Sequence, residues 1–303
     1  MKHHNPNMLV RIAQADAYAM AVEYVKPREH PQLFADALSF DRYLQHPTHS
    51  LKPGMYTDDT QMSIAVAETL LEHDVDKLTK EHFAESFFRC FKRDQRDGYS
   101  RGFQKILETS SSWQDMVSKL NADSDKNGAA MRAVPIGVLK DPKDVVRVAK
   151  MQAQVTHDTP GGRDSAVLIA LQSHYSLYED GDFEDFRDWG EMHFWTPSTW
   201  RRKWHGGVGL KNTDLYRAGI GMCTAHAVDT LLQQEKSLMS IMQQVIEWGG
   251  DTDSVAAIAW GIASSRHQDE ILPEFFDWGL ETGRKYGLAF LRHLGEKLMG
   301  RYA

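Results

Sequence analysis

Cysteine is almost missing from this chain: its 303 residues hold only Cys90 and Cys223. Two thiols allow one bridge at most and give no disulfide framework, so a reducing compartment is the expected setting. Long apolar runs are missing too. None approaches the roughly 20 residues that cross a bilayer. The opening segment Met1-Lys2-His3-His4-Asn5-Pro6 has no apolar stretch of the kind that directs secretion. A cytoplasmic location is expected. An excess of positive charge is likewise absent. Lys and Arg total 35 against 42 Asp and Glu, the net charge is −7, and no long like-charge run occurs. Broad electrostatic binding to nucleic acid or to an anionic membrane needs a basic face, and this composition excludes it. The 14 histidines, among them His3-His4, His30, His46, His49, His73 and His82, show no ligand spacing. That argues against a histidine-rich dinuclear phosphohydrolase centre. What remains is ordinary for a globular protein with a sizeable core: 42% hydrophobic and 25% charged residues.

No stretch of useful length alternates as a strand would. Helical spacing recurs instead. Leu9, Ile12, Ala13, Met20 and Tyr24 predict a helix over 9–25, ended by Pro27 and Pro31. Residues 26–54 read as loop. Helices are expected over 59–73, over 82–92 with its four phenylalanines, and over 102–109 and 113–120. Residues 127–139 read as a helix start with a kink at Pro135. Residues 144–155 and 164–177 read as amphipathic helices, and 218–232, 237–247, 254–265 and 281–299 complete the set. The predicted fold is all-α, a single-domain multi-helix bundle over 1–303. One stretch departs from the pattern. Residues 178–213 carry Phe183, Phe186, Trp189, Trp195, Trp200 and Trp204, then Arg201-Arg202-Lys203 and Gly206-Gly207. This is an aromatic-rich loop or short helical insertion, either functional or a satellite cluster packed on the bundle. If it borders a cleft, it is the place to tune substrate choice.

Two acidic clusters carry the chemistry: Thr57-Asp58-Asp59-Thr60 and Gly249-Gly250-Asp251-Thr252-Asp253-Ser254. Each leads straight into an apolar helical run. Asp and Thr at a helix start are ordinary N-cap residues, because the first N–H groups lack partners there and favour negative charge. Capping alone would explain either motif. Each cluster, however, holds more acid than a cap needs. Each is also followed by small residues that allow close packing: Ser63, Ala65 and Ala67 after the first, Ala256, Ala257 and Ala259 after the second. Two helix starts at one end of a tight bundle would bring four aspartates together. Two hard divalent cations, Mg²⁺ or Mn²⁺, would then relieve the repulsion, since these ions accept oxygen ligands. Glu23 follows Asp16 by seven residues, two turns along the first predicted helix and so roughly on one face. That pair is either a solvated stripe or a third part of the site.

With those residues in view, the chain resembles the ADP-ribosylglycohydrolase family, the group related to dinitrogenase-reductase-activating glycohydrolase. Ala15-Asp16-Ala17-Tyr18-Ala19 with Glu23 resembles the family's Gly-Asp-Ala-x-Gly segment and its downstream Glu. Thr57-Asp58-Asp59-Thr60 is similar to its Thr-Asp-Asp-Thr block. Asn127-Gly128-Ala129-Ala130-Met131-Arg132 with Pro135-Ile136-Gly137 is similar to its central Asn-Gly block, and Gly249 to Ser254 to its C-terminal signature. Thr156-His157 falls where members carry Thr-His. The departures are Ala15 and Ala19 in place of glycine, Ser254 in place of threonine, and Trp260-Gly261 with Ser264-Ser265 in place of a Gly-Ala pattern.

The resemblance implies an all-α fold with a dinuclear Mg²⁺ or Mn²⁺ centre. Its ligands would be Thr57, Asp58, Asp59, Asp251, Asp253 and Ser254, with Glu23 between metal and substrate. It implies hydrolysis of the α-glycosidic bond of an ADP-ribosyl group carried by a protein side chain or a small molecule. Glu23, or failing that Asp59, would move the proton. Gly98, Tyr99, Asn127, Gly128 and His157 are the candidates to line the groove for adenine and diphosphate, with Tyr99 stacked on a ring. A monomer is expected. The alternative is a non-catalytic relative that binds ADP-ribose or serves as a structural protein.

Overall fold

The computed structural model describes residues 1–194, 203–210, 219–234 and 236–303. Among them no strand occurs. Two isolated bridges, Asp123 with His157 and Val208 with Gly250, are the sole β-type pairings. The chain is a layered helical bundle, as the absence of alternation predicts. α1 (Met8–Ala19) packs lengthwise against α12 (Thr252–Ala263), and this pair is the axis of the molecule. Small residues allow the approach: a Cβ on Gly261 would stand 2.6 Å from Ile12 Cγ1. α3 (Asp58–Glu72) and α14 (Leu288–Tyr302) flank α1, and α11 (Leu238–Trp248) lies beside α12. α4 (Lys80–Arg93) stacks on α3 and buries Phe83, Phe87 and Phe91. α5 (Arg101–Thr109) and α6 (Trp113–Lys119) follow on that side. On the other side α8 (Pro160–Tyr178) lies between α7 (Pro142–Ala153) and α10 (Ile220–Gln234). No described helix is long and apolar enough to cross a membrane.

Several expectations are corrected. The first helix does not run to Val25. It ends at Ala19, tightens into a 3₁₀ turn over Met20–Val22, and releases Glu23 in an extended conformation. The stretch expected to be loop contains α2 (Pro31–Ser39). Pro31 starts that helix at its first position, where a missing N–H costs nothing, and Phe34 and Ala37 are buried one turn apart. Residues 127–139 form two 3₁₀ turns, Asn127–Ala129 and Val134–Val138, in place of one kinked helix. The last helix starts at Leu288, not 281, because Glu281 has φ +49° and its carboxylate is buried against Arg96 at 2.5 Å.

α8 is not amphipathic: every residue from Ser165 to Leu177 is buried. Its polar side chains find partners inside. Ser173 donates to the Val134 carbonyl at 2.8 Å and Ser176 to that of Ile262 at 3.0 Å, while His174 Nδ1 contacts the Leu139 carbonyl at 2.9 Å.

The aromatic stretch divides into unlike parts. Phe183–Asp185 is a 3₁₀ turn and α9 (Phe186–Glu191) is a short helix. Trp189 stacks on His174 of α8, and Phe186 meets Tyr175 edge-on, which makes a satellite aromatic cluster. Trp195, Trp200, Arg201, Arg202 and 211–213 lie outside the described residues. Trp204 is fully buried, held by its backbone N–H to Thr230 Oγ1 at 2.9 Å and by its indole N–H to the Gly206 carbonyl at 2.8 Å. α13 (Phe275–Trp278) closes the end of the bundle near Tyr18 and Tyr43.

Candidate active site

Thr57 caps α3, its Oγ1 accepting from the Asp59 N–H at 3.3 Å. The cap is doubled from α1. Asp16, wholly buried, accepts from the Thr57 N–H at 3.0 Å, the Thr60 N–H at 3.1 Å and the Thr60 hydroxyl at 2.5 Å. Asp16 therefore fixes where α3 begins and aims Asp58 and Asp59. It does not share a helical face with Glu23, since the helix has ended before Glu23 is reached.

The second cluster is set by a glycine turn. Gly250 has φ +79°, and a Cβ there would stand 2.3 Å from the Val208 carbonyl. That carbonyl accepts the Asp251 N–H at 3.0 Å, and the Gly250 carbonyl accepts the Tyr24 N–H at 2.8 Å. Thr252 donates from its hydroxyl to the Ala19 carbonyl at 2.8 Å, which pins α12 to the end of α1. Asp251 Oδ2 accepts from Asn127 Nδ2 at 3.0 Å and from the Tyr24 hydroxyl at 3.3 Å.

The clusters meet. Glu23, Asp251 and Asp253 each offer an oxygen within 4.8 Å of the others. Ser254 and Asp59 line the same cavity from the two helix starts. Glu23, Asp58, Asp59, Asp251, Asp253 and Ser254 all line one cavity of about 510 Å³. Burial, then mutual repulsion, raises the carboxyls: Glu23 up to about 8 and Asp58 to about 7. Asp59 and Asp253 are driven well above the ordinary range by the same causes. Asp59 Oδ1 and Asp253 Oδ1 are buried without a hydrogen-bond partner. Nearby cations are committed elsewhere: Arg96 to Asp94 and Glu281, Arg132 to Gln152 and Thr156. Unpartnered buried oxygens and crowded acids with oxygen-only neighbours fit hard divalent cations.

The same cavity is also lined by Phe103, Ile106, Leu120 and Ile220 and by Lys119 and Lys126. Gly98, Asn127, Gly128 and His157 line the cavity as the sequence led us to expect. Tyr99 does not. It is buried behind the wall, its hydroxyl donating to Gln61 Oε1 at 2.6 Å and its ring edge-on to Phe91 and Phe103. Phe103, one helical turn further on, holds the lining position. Thr57 also stands behind the lining, at the α3 cap.

His157 is tied to Arg132 through Thr156. Arg132 Nη2 donates to Thr156 Oγ1 at 2.8 Å, and that hydroxyl shares a hydrogen bond with His157 Nδ1 at 2.7 Å. Nε2 stands next to Gly128, where a Cβ would come within 3.1 Å of it. Burial, then Arg132 and Lys126, pushes the imidazole down to about 3, so it stays neutral. Arg132 itself is fully buried and lies 4.2 Å from the Phe87 ring.

Three residues outside the expected ligand and lining set shape the site, and of these the sequence left Asp16 open between a solvated stripe and a part of the site. Asp16 was legible as an acid flanked by alanines in an apolar helix, Arg132 as a cation in the Asn-Gly block. Tyr24 had no signal beyond its place after Glu23. It takes φ +50°, stands at the cavity mouth 47% exposed, and packs its hydroxyl end against Gly209.

Comparison with known proteins places these features in a family. Residues 8–302 match the ADP-ribosylglycohydrolase family model. The ADP-ribosylhydrolase ARH3 of Gallus gallus is 25% identical over 302 residues, covering 82% of each chain. The ADP-ribosyl-[dinitrogen reductase] glycohydrolase of Rhodospirillum rubrum is 23% identical over 234 residues, covering 74% of this chain and 72% of that one. A solved structure described as an ADP-ribosylglycohydrolase-related protein complex superposes with a TM-score of 0.72 at 18% identity, over 98% of this chain and 97% of the other, and shares the fold.

Proposed function

This chain belongs to the ADP-ribosylglycohydrolase family, and on that premise we propose that it is a divalent-cation-dependent hydrolase that cleaves the α-glycosidic bond of ADP-ribosyl groups and releases ADP-ribose. One observation carries the reading. Five carboxylates from three distant segments share the lining of one cavity with four apolar side chains and two lysines. That mixture suits a ligand that joins a polyhydroxyl sugar, a diphosphate and a flat base.

Asp58, Asp59, Asp251 and Asp253, with the hydroxyls of Thr57 and Ser254, are the proposed holders of two Mg²⁺ or Mn²⁺ ions. Such ions, when bound, supply Lewis acidity and lower the pKa of water at neutral pH. The protein's own groups do the rest. The carboxylate wall stabilises the positive charge that develops on the ribose ring as the glycosidic bond lengthens. Glu23 is the proton carrier, taking a proton from the attacking water or giving one to the leaving group, and Asp59 is the second choice. His157 presents Nε2–H to a phosphate oxygen, and the neighbouring Gly128 leaves backbone room for it. The apolar lining residues Phe103, Ile106, Leu120 and Ile220 receive the base.

The test is release of free ADP-ribose from arginine-, serine- and acetyl-linked substrates with Mg²⁺ or Mn²⁺, and its loss on chelation. Asp58→Ala and Asp253→Ala should each abolish two-ion binding in calorimetry. Tight ADP-ribose binding with no turnover on any linkage would replace the hydrolase reading with a binding protein.

A further inference from the structure

Glu23 stands at an awkward point of the chain. The helix has unwound through Met20–Val22, Glu23 is extended, and Tyr24 turns left-handed at φ +50°. The peptide that follows Glu23 is held at its N–H end, where Tyr24 donates to the Gly250 carbonyl at 2.8 Å. Its carbonyl end is held from the loop between α2 and α3. His46, buried in that loop, places Nε2 3.0 Å from the Glu23 carbonyl oxygen. Its other ring nitrogen is committed: Nδ1 accepts from the Thr48 N–H at 3.1 Å and the His49 N–H at 3.0 Å. Two backbone donors at Nδ1 leave the proton on Nε2, so the ring donates to Glu23. The same loop reaches the opposite rim. Ser50 donates to Asp97 Oδ2 at 2.5 Å, and Gly98 next to it lies against Asp58, 2.9 Å from a Cβ position to Oδ1. Gln45 Nε2 ties the loop to itself through the carbonyls of His49 and Leu51.

We propose that His46 is a positioning residue: its Nε2–H holds the Glu23 peptide so that the Glu23 carboxylate faces Asp251 and Asp253, and the loop 46–50 braces the two sides of the cation cradle. The proposal rests on the functional reading of Glu23 given above, and its test separates the two. His46→Asn keeps an acceptor near the Nδ1 position for the loop N–H groups but cannot reach the Glu23 carbonyl. His46→Gln restores a donor at the longer reach. Expected for His46→Asn is a melting temperature close to wild type, kcat down by about tenfold or more and KM nearly unchanged, since misplacing a reacting group by an ångström costs up to about 100-fold. His46→Gln should recover much of kcat.

The readout independent of turnover is Mn²⁺ binding by calorimetry in a cycle of His46→Asn with Glu23→Gln. The two changes should weaken Mn²⁺ together no more than Glu23→Gln does alone, the signature of residues that act as one unit. If the effects multiply, or His46→Asn leaves kcat and Mn²⁺ affinity within about twofold of wild type, or Glu23→Gln leaves Mn²⁺ binding unchanged, the proposal is overturned. A wild-type chain that releases no ADP-ribose from any linkage overturns the hydrolase reading alone, and the Mn²⁺ cycle still decides the role of His46.

Discussion

Glu23, Asp58, Asp59 and Asp253 are held above their ordinary range by burial first, and the sign of the consequence follows. Glu23, up at about 8, and Asp58, at about 7, keep their protons in the folded chain where the unfolded chain has lost them. The cation-free protein therefore loses stability as pH rises from about 4 to about 8, the window between the unfolded and folded values. Urea unfolding in chelator should show a lower midpoint at pH 8 than at pH 5.5, and Asp59→Asn should raise the midpoint at pH 8. A flat profile would mean that the acids do not crowd. Asp16 is also raised by burial, to about 6, but three donors hold it and its task is to seat α3. Asp16→Ala should cost about 2 kcal/mol by leaving buried N–H groups unpaired. It should also weaken Mn²⁺ binding without touching a proposed ligand. The sequence marked the acids correctly as a convergent group, because excess carboxylate at two helix starts is a local pattern. It misplaced Tyr99, because an aromatic beside a glycine reads alike whether its ring faces a groove or, as here, Gln61 and Phe91.

At the level of elements, what was legible had a local cause. α3, α4 and α12 announce themselves by period, and α3 also by its Thr57 cap. What was lost depended on neighbours. α2 follows a proline that looks like a breaker until Tyr18 is seen donating to the Ala37 carbonyl at 2.7 Å and sealing that helix to α1. α8 looked two-faced because its serines, Gln172 and His174 are polar, yet the partners that let them be buried come from other segments. The end of α1 at Ala19 follows from the crossing with α12, which no nearby residue encodes. The Gly249-Gly250 turn gives the sharpest test at this scale. Gly250→Ala would require a left-handed alanine with its Cβ driven into the Val208 carbonyl. It should cost more than about 1 kcal/mol of stability. It should also lower Mn²⁺ affinity through Asp251, with the far-ultraviolet helical signal intact.

Taken whole, the molecule was legible as a one-piece helical bundle, and the family resemblance runs through it from residue 8 to residue 302. The assembly of the cavity was legible only as an expectation, since its walls come from segments more than 200 residues apart. Those walls make divalent cations the natural staple between the α1, α3 and α12 ends. Mn²⁺ at about 100 times its dissociation constant should stabilise the fold by about 2.7 kcal/mol. The shift in unfolding midpoint should vanish in Asp58→Ala and in Asp253→Ala. A midpoint indifferent to Mn²⁺ in the wild-type chain would remove the staple and with it the dinuclear proposal.

The pinning of α12 to the end of α1 through Thr252 and Ala19 has a consequence for how the protein comes into being. A ribosome delivers Asp16, Glu23, Asp58 and Asp59 long before Asp251 and Asp253. A nascent chain stalled before residue 251 thus carries half a cradle, its buried acids lacking the segment that shapes their surroundings. Such stalled chains should hold no tight Mn²⁺, so the cradle is completed in one step, when residues 251–253 are added.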